Sequence, residues 1–80
     1  MSKKDEVLQL IFKAAGRTLG CDAVNFTPQT NLKSDFQAKS INFVQIIGEL
    51  EDEYEVEIDF MQFRNTSNLD ESAEYVSSLI

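Results

Sequence analysis

Between Ser40 and Tyr54 the apolar residues recur at the period of an α-helix. At about 100° per residue, Phe43, Ile46, Ile47, Leu50 and Tyr54 fall within one narrow face. A helix with such a stripe has to bury it against other elements, and the chain supplies them. Val7, Leu10, Ile11, Ala14 and Ala15 predict a helix over residues 3–19, opened by Ser2 and Asp5 as a capping box and stopped by Gly20. Leu69, Ala73, Val76 and Ile80 predict a last helix with Asn68 as its cap. A short helical turn over residues 60–64, capped by Asp59, completes the set. Val56 and Ile58 alternate with acids, but the stretch is short and has no partner strand, so it reads as a loop. The expected architecture is all-α, a four-helix bundle of three main helices and one short one, in a single domain over residues 1–80.

The stretch from Cys21 to Lys39 lacks this period, and Thr27-Pro28 and Asn31 act as breakers. So long a first loop inside a small domain is expected to be pinned by its own side chains. Val24, Phe26, Leu32 and Phe36 are spaced to do so.

Composition removes several classes of function. An 80-residue chain is too small for the deep pre-formed pocket that many enzymes use. It contains no His, so the commonest general base and the commonest zinc ligand are missing. With no constellation of acid, base or metal ligands to assemble, the chain is not expected to be an enzyme. Its single cysteine, Cys21, cannot form an internal disulfide, and without a His beside it to lower its pKa it is read as an incidental thiol. No apolar run approaches the ~20 residues of a membrane span, and the N-terminus lacks the apolar core of a signal peptide. Nucleic acid is an unfavourable partner for a chain with a formal charge of −7. A cytoplasmic monomer is expected.

The charge is unevenly placed. Residues 1–39 carry six bases and four acids, whereas residues 40–80 carry one base and ten acids. Glu49, Glu51, Asp52, Glu53, Glu55, Glu57 and Asp59 follow one another with no base between them. Like charges at i, i+4, Glu49–Glu53, Glu51–Glu55 and Glu53–Glu57, each destabilise a helix that extends that far by roughly 0.2–0.5 kcal/mol. They also crowd the end of the helix where the macrodipole favours cations. A local rule broken in this way points to a docking surface for basic partners rather than a passive solvated face. The alternating Asp/Asn pattern and central Gly of a calcium loop are absent.

Ser40 stands at the head of the best-defined helix. Serine is a favoured N-cap, which is reason enough for its presence. The same position offers unpaired N–H groups and a positive partial charge, which favour a phosphate attached there. It makes a good anchor for a phosphodiester and a poor nucleophile, since no His can activate it.

At these residues the chain resembles a known family. Asp35-Phe36-Gln37-Ala38-Lys39-Ser40-Ile41, followed by Val44, Ile47, Leu50, Glu51, Tyr54, Val56 and Ile58, is similar to the acyl carrier proteins. The likeness continues through Leu69, Ala73, Tyr75 and Val76 and covers nearly the whole chain. It implies a helical bundle whose serine, here Ser40, receives 4′-phosphopantetheine from coenzyme A through a separate Mg²⁺-dependent transferase. The thiol of that arm would carry acyl groups as thioesters and present them to enzymes with basic patches. The partner surface would run along the helix that starts at Ser40: Lys39, Ile41, Val44, Gln45, Gly48, Glu49, Glu51 and Asp52. Steering of this kind raises encounter rates and weakens in salt. In such carriers the acyl chain can enter the bundle, where Phe43, Ile46, Ile47 and Leu50 would line the space. Phe12, Phe60 and Phe63 read as core or core-edge residues.

Several positions depart from the family pattern of Asp, any residue, Gly, any residue, Asp-Ser-Leu. Gln37 stands for the Gly, Lys39 for the Asp before serine and Ile41 for the Leu. Asn42 and Gln45 replace residues that are commonly acidic, and Gly48 a bulky apolar one. These changes point away from a housekeeping fatty-acid role and towards a specialised lipid or polyketide-type pathway. They also leave open an unmodified, carrier-like acidic adaptor that acts only as a protein-binding module.

Overall fold

The 17-residue helix α1 (Lys3–Leu19) is the central member of the fold. A computed structural model describes residues 2–80, and among them every regular element is helical. The first helix is followed by a 3-10 turn (Ala23–Asn25), α2 (Leu32–Asp35), α3 (Ser40–Tyr54), α4 (Phe60–Arg64) and α5 (Leu69–Ser77). It packs against both α3 and α5, and α4 closes over α3.

Capping sets most of the helix boundaries. Ser2 Oγ accepts from the Asp5 N–H at 3.2 Å, and Gly20 ends α1 in the left-handed conformation at φ 74°. Asp59 Oδ1 accepts from the Gln62 N–H at 3.0 Å, and Asn68 Oδ1 from the Glu71 N–H at 2.9 Å. The stripe foreseen on α3 is core: Phe43, Ile46, Ile47 and Leu50 are buried, and Tyr54 is half-buried. They meet Val7, Ile11 and Ala14 of α1 and Ala73 and Val76 of α5 in one cluster. Ile80 lies beyond the end of α5, but it still packs against this cluster.

The long first loop is more ordered than its breakers indicate. Asn31 does not merely interrupt the chain: its side chain accepts from the N–H groups of Lys33 and Ser34 and caps the one-turn helix α2. Phe26 and Leu32 are buried and Phe36 is half-buried, with the Phe26 and Phe36 ring centroids 4.7 Å apart. Val24 does not pin the loop. It is 85% exposed, because the 3-10 turn points it away from the core. Backbone bonds hold the loop to the start of α5, from the Leu69 N–H to the Thr30 carbonyl and from the Asp70 N–H to the Pro28 carbonyl, both at 2.9 Å.

From the start of α1, Lys4 reaches Asp70 at 3.0 Å and Glu74 at 3.2 Å on α5. Hydrogen bonds to these two carboxylates raise the Lys4 pKa above the usual lysine value. Helix α3 ends at Tyr54, with Glu55 left-handed at φ 54°, so Glu53 and Glu57 do not form a helical like-charge pair. No helix among the described residues is long and apolar enough to cross a membrane.

Candidate functional site

Four of the five α-helices begin on a residue whose side chain accepts from a helix N–H: Ser2, Asn31, Asp59 and Asn68. Helix α3 does not, because its N-cap is Lys39, whose side chain has no acceptor. Ser40 is therefore the first helical residue rather than the cap. Asn42 partly compensates: its Oδ1 accepts from the Lys39 N–H at 2.8 Å, and its own N–H donates to the Lys39 carbonyl at 3.0 Å. Among the described residues, no acceptor meets the N–H groups of Ser40 or Ile41. Ser40 is exposed, and its hydroxyl makes no hydrogen bond within the described chain. An exposed hydroxyl beside two open amides, at the positive end of a 15-residue helix, fits an esterified phosphate.

The approach to Ser40 carries backbone strain. Gln37 adopts φ 54°, which lets the chain fold back so that the Ala38 N–H reaches the Leu32 carbonyl at 3.0 Å. This is where the family pattern places Gly, and the left-handed backbone gives the reason, since only glycine adopts it without a steric penalty. Gln37→Gly is expected to stabilise the fold by about 0.5 kcal/mol or more, raising Tm by roughly 2–4 °C. A lower melting temperature by circular dichroism would show that the Gln side chain contributes more than its backbone costs.

Seven of the eight residues of the expected partner surface divide into two strips, and Glu51 belongs to neither. Lys39, Ile41 and Val44 are open, with Ile41 at 58% and Val44 at 51% exposure. Gln45, Gly48, Glu49 and Asp52 border a groove whose far wall is Arg17 and Thr18 of α1. Glu49 pairs with Arg17, and Gln45 accepts from the Thr18 hydroxyl. Asn42 Nδ2 donates to the same hydroxyl at 3.0 Å. Glu51 faces inward, where its carboxylate accepts from the Ile58 N–H at 2.8 Å and anchors the loop after α3.

Three of the run's acids, Glu49, Glu51 and Asp59, thus have partners within the chain, and the Glu49–Arg17 ion pair relieves part of the repulsion expected from sequence. Arg17 and Thr18 carry no sequence signal for this position, because they reach it only through helix packing. Cys21 is a half-buried free thiol outside this surface.

Gly48 has no atom within 4 Å of the place a Cβ would occupy. Gly48→Ala should therefore stabilise α3 by about 0.5–1 kcal/mol. A chemical denaturation midpoint that falls instead would show that the groove cannot accommodate a methyl group.

Aromatic rings pack against one another in the bundle interior. Phe43 makes edge-on contacts with Phe60 and Phe63, each at a centroid distance of 6.5 Å. Ile46 and Leu50 are fully buried, and Phe12 and Phe63 belong to the same core. Phe60 lies at its edge, half-buried.

Comparison with known proteins agrees with this geometry. Residues 9–76 match the family model described as a phosphopantetheine attachment site. Over 73 residues the chain is 30% identical to a protein of Rubrobacter xylanophilus named acyl carrier protein, a span covering 91% of this chain and 90% of that protein. No solved structure matches it significantly.

Proposed function

This chain belongs to the acyl carrier proteins, and from that premise we propose that Ser40 is the residue that bears its 4′-phosphopantetheine arm. The reading rests above all on the exposed Ser40 hydroxyl at the uncapped start of α3. A partner transferase would supply the base and the Mg²⁺ that this chain has no residues to provide. The Ser40 oxygen would form an ester bond to the pantetheine-side phosphorus of coenzyme A. The diphosphate bond breaks, adenosine 3′,5′-bisphosphate leaves, and the serine proton passes to the transferase. The open Ser40 and Ile41 amides then face the new phosphodiester, while the arm's thiol carries the acyl group as a thioester.

The chain itself acts as a tether, a single cytoplasmic domain that hands its cargo to other enzymes. Lys39, Ile41 and Val44, with Gln45, Gly48, Glu49 and Asp52 behind them, form the surface those enzymes meet, whereas Glu51 is turned to the loop after α3. That surface is mixed rather than uniformly acidic near Ser40, which supports a partner set for a specialised lipid or polyketide-type pathway.

Incubation with coenzyme A, Mg²⁺ and a broad-specificity transferase should add one phosphopantetheine by intact mass. Ser40→Ala should abolish the addition without changing the circular dichroism spectrum. An unmodified wild type beside a modified control carrier would leave only the adaptor function, in which the surface binds proteins and Ser40 is dispensable.

A further inference from the structure

The first turn of α3 does little to hold itself in place. Lys39, Ser40 and Ile41 are all exposed, so core packing begins only with Phe43, one turn further on. The N-cap supplies no side-chain acceptor. A helix start of this kind frays readily, because its first N–H groups have no intrahelical partner. On the loop side, the nearest tie among the described residues is the Ala38 N–H bond to the Leu32 carbonyl.

Asn42 is the exception in this turn. It is half-buried, and both ends of its side-chain amide are used. Its oxygen accepts from the Lys39 N–H at 2.8 Å, while its nitrogen donates to the Thr18 hydroxyl at 3.0 Å and, more weakly, to the Thr18 carbonyl at 3.4 Å. Only one orientation of the amide satisfies both a donor at Lys39 and a carbonyl at Thr18. The Thr18 hydroxyl in turn donates to Gln45, one turn along α3. Thr18 lies in the last turn of α1, where carbonyls lack intrahelical partners. One side-chain amide therefore joins the open start of α3 to the closing turn of α1, 24 residues back in the chain. A carboxylate at position 42 would accept from Lys39 equally well, but it would set an oxygen against the Thr18 carbonyl.

We propose, on the reading that Ser40 bears the arm, that Thr18 is a positioning residue for that modification. Through Asn42 it fixes the turn that presents the Ser40 hydroxyl and the open Ser40 and Ile41 amides. The serine oxygen has to meet the phosphorus of coenzyme A in line, and a turn that samples several orientations presents it correctly less often. Docking is left intact, because Val44, Gly48 and Asp52 lie beyond this turn.

The closing experiment compares wild type, Thr18→Val, Thr18→Ser, Asn42→Ala and the Thr18→Val/Asn42→Ala pair as substrates of a broad-specificity transferase with coenzyme A and Mg²⁺. Valine keeps the shape of threonine and removes only the hydroxyl, so the circular dichroism spectrum should not change. Thr18→Val should lower kcat for phosphopantetheine transfer about 3–10-fold and leave KM for the carrier within about twofold. Thr18→Ser should restore kcat. With Asn42→Ala already present, Thr18→Val should have no further effect. In ¹⁵N relaxation of the unmodified chain, the Ser40 and Ile41 order parameters should fall from about 0.85 in wild type to below about 0.6 in Thr18→Val.

An unchanged kcat in Thr18→Val would overturn the proposal. So would a raised KM alone, which would make Thr18 a contact of the transferase. An equal loss in the Asn42→Ala background would also overturn it, since the effect would not pass through Asn42. The comparison of Thr18→Val with Thr18→Ser stands even if the Asn42 variants do not fold. Relaxation needs no modification, so rigid Ser40 and Ile41 amides in Thr18→Val overturn the inference by themselves. Absence of an adduct on wild type beside a modified control carrier would refute the carrier reading of Ser40 itself, and this inference with it.

Discussion

Phe63→Ala should cost about 3–5 kcal/mol of folding stability, the usual range for deleting a buried aromatic ring. Phe63 is 1% exposed and meets Phe43 edge-on, so its loss leaves a void between α3 and α4 and strips Phe43 of a neighbour. At the usual 0.05–0.15 kcal/mol per residue, a chain of this length holds about 4–12 kcal/mol in all. The variant is therefore expected to be largely unfolded at 37 °C or to melt at least about 15 °C lower. Urea unfolding followed by circular dichroism measures the effect, with Met61→Ala as the control. Met61 is 53% exposed on the same short helix, and its loss should change stability by no more than about 0.5 kcal/mol. Similar midpoints for the two variants would mean that α4 does not close over the core as described.

Gly16→Ala should destabilise the fold by roughly 1–3 kcal/mol, against the ordinary preference of helices for alanine. A Cβ at Gly16 would lie 2.6 Å from the Cys21 carbonyl oxygen, which is backbone and not the movable end of a side chain. The chain doubles back at this point, with the Gly20 and Cys21 N–H groups both donating to the Gly16 carbonyl at 2.9 Å. A methyl group would push that turn off α1 and loosen the start of the loop. Gly16→Ala and Gly48→Ala are the same substitution in two helix interiors, and they are expected to change stability in opposite directions. A gain in both would show that the close approach at Gly16 relaxes without loss.

Helix positions were legible in the sequence because their causes are local. Ser2, Gly20, Asp59 and Asn68 act within a turn of where they stand, and the period of Phe43, Ile46, Ile47 and Leu50 selects the buried face of α3. The 3-10 turn and α2 were less legible. Elements of one turn carry too few residues to show a period, and Asn31 breaks one structure as readily as it caps another. Val24 was misjudged for a related reason, since spacing in a loop does not fix which way a side chain points. The reason for glycine at the position of Gln37 became visible only with its backbone angle.

By itself the sequence determined which face of each long helix is buried, the family to which the chain belongs and the serine at the start of α3. These follow from short-range periodicity, capping chemistry and residue order. The tertiary structure alone decided that Glu49 meets Arg17, that Glu51 anchors the loop at Ile58, that Gly16 admits no methyl group and that Asn42 meets Thr18. Each of these depends on distances between residues far apart in the chain, and such distances are set only when the three long helices pack.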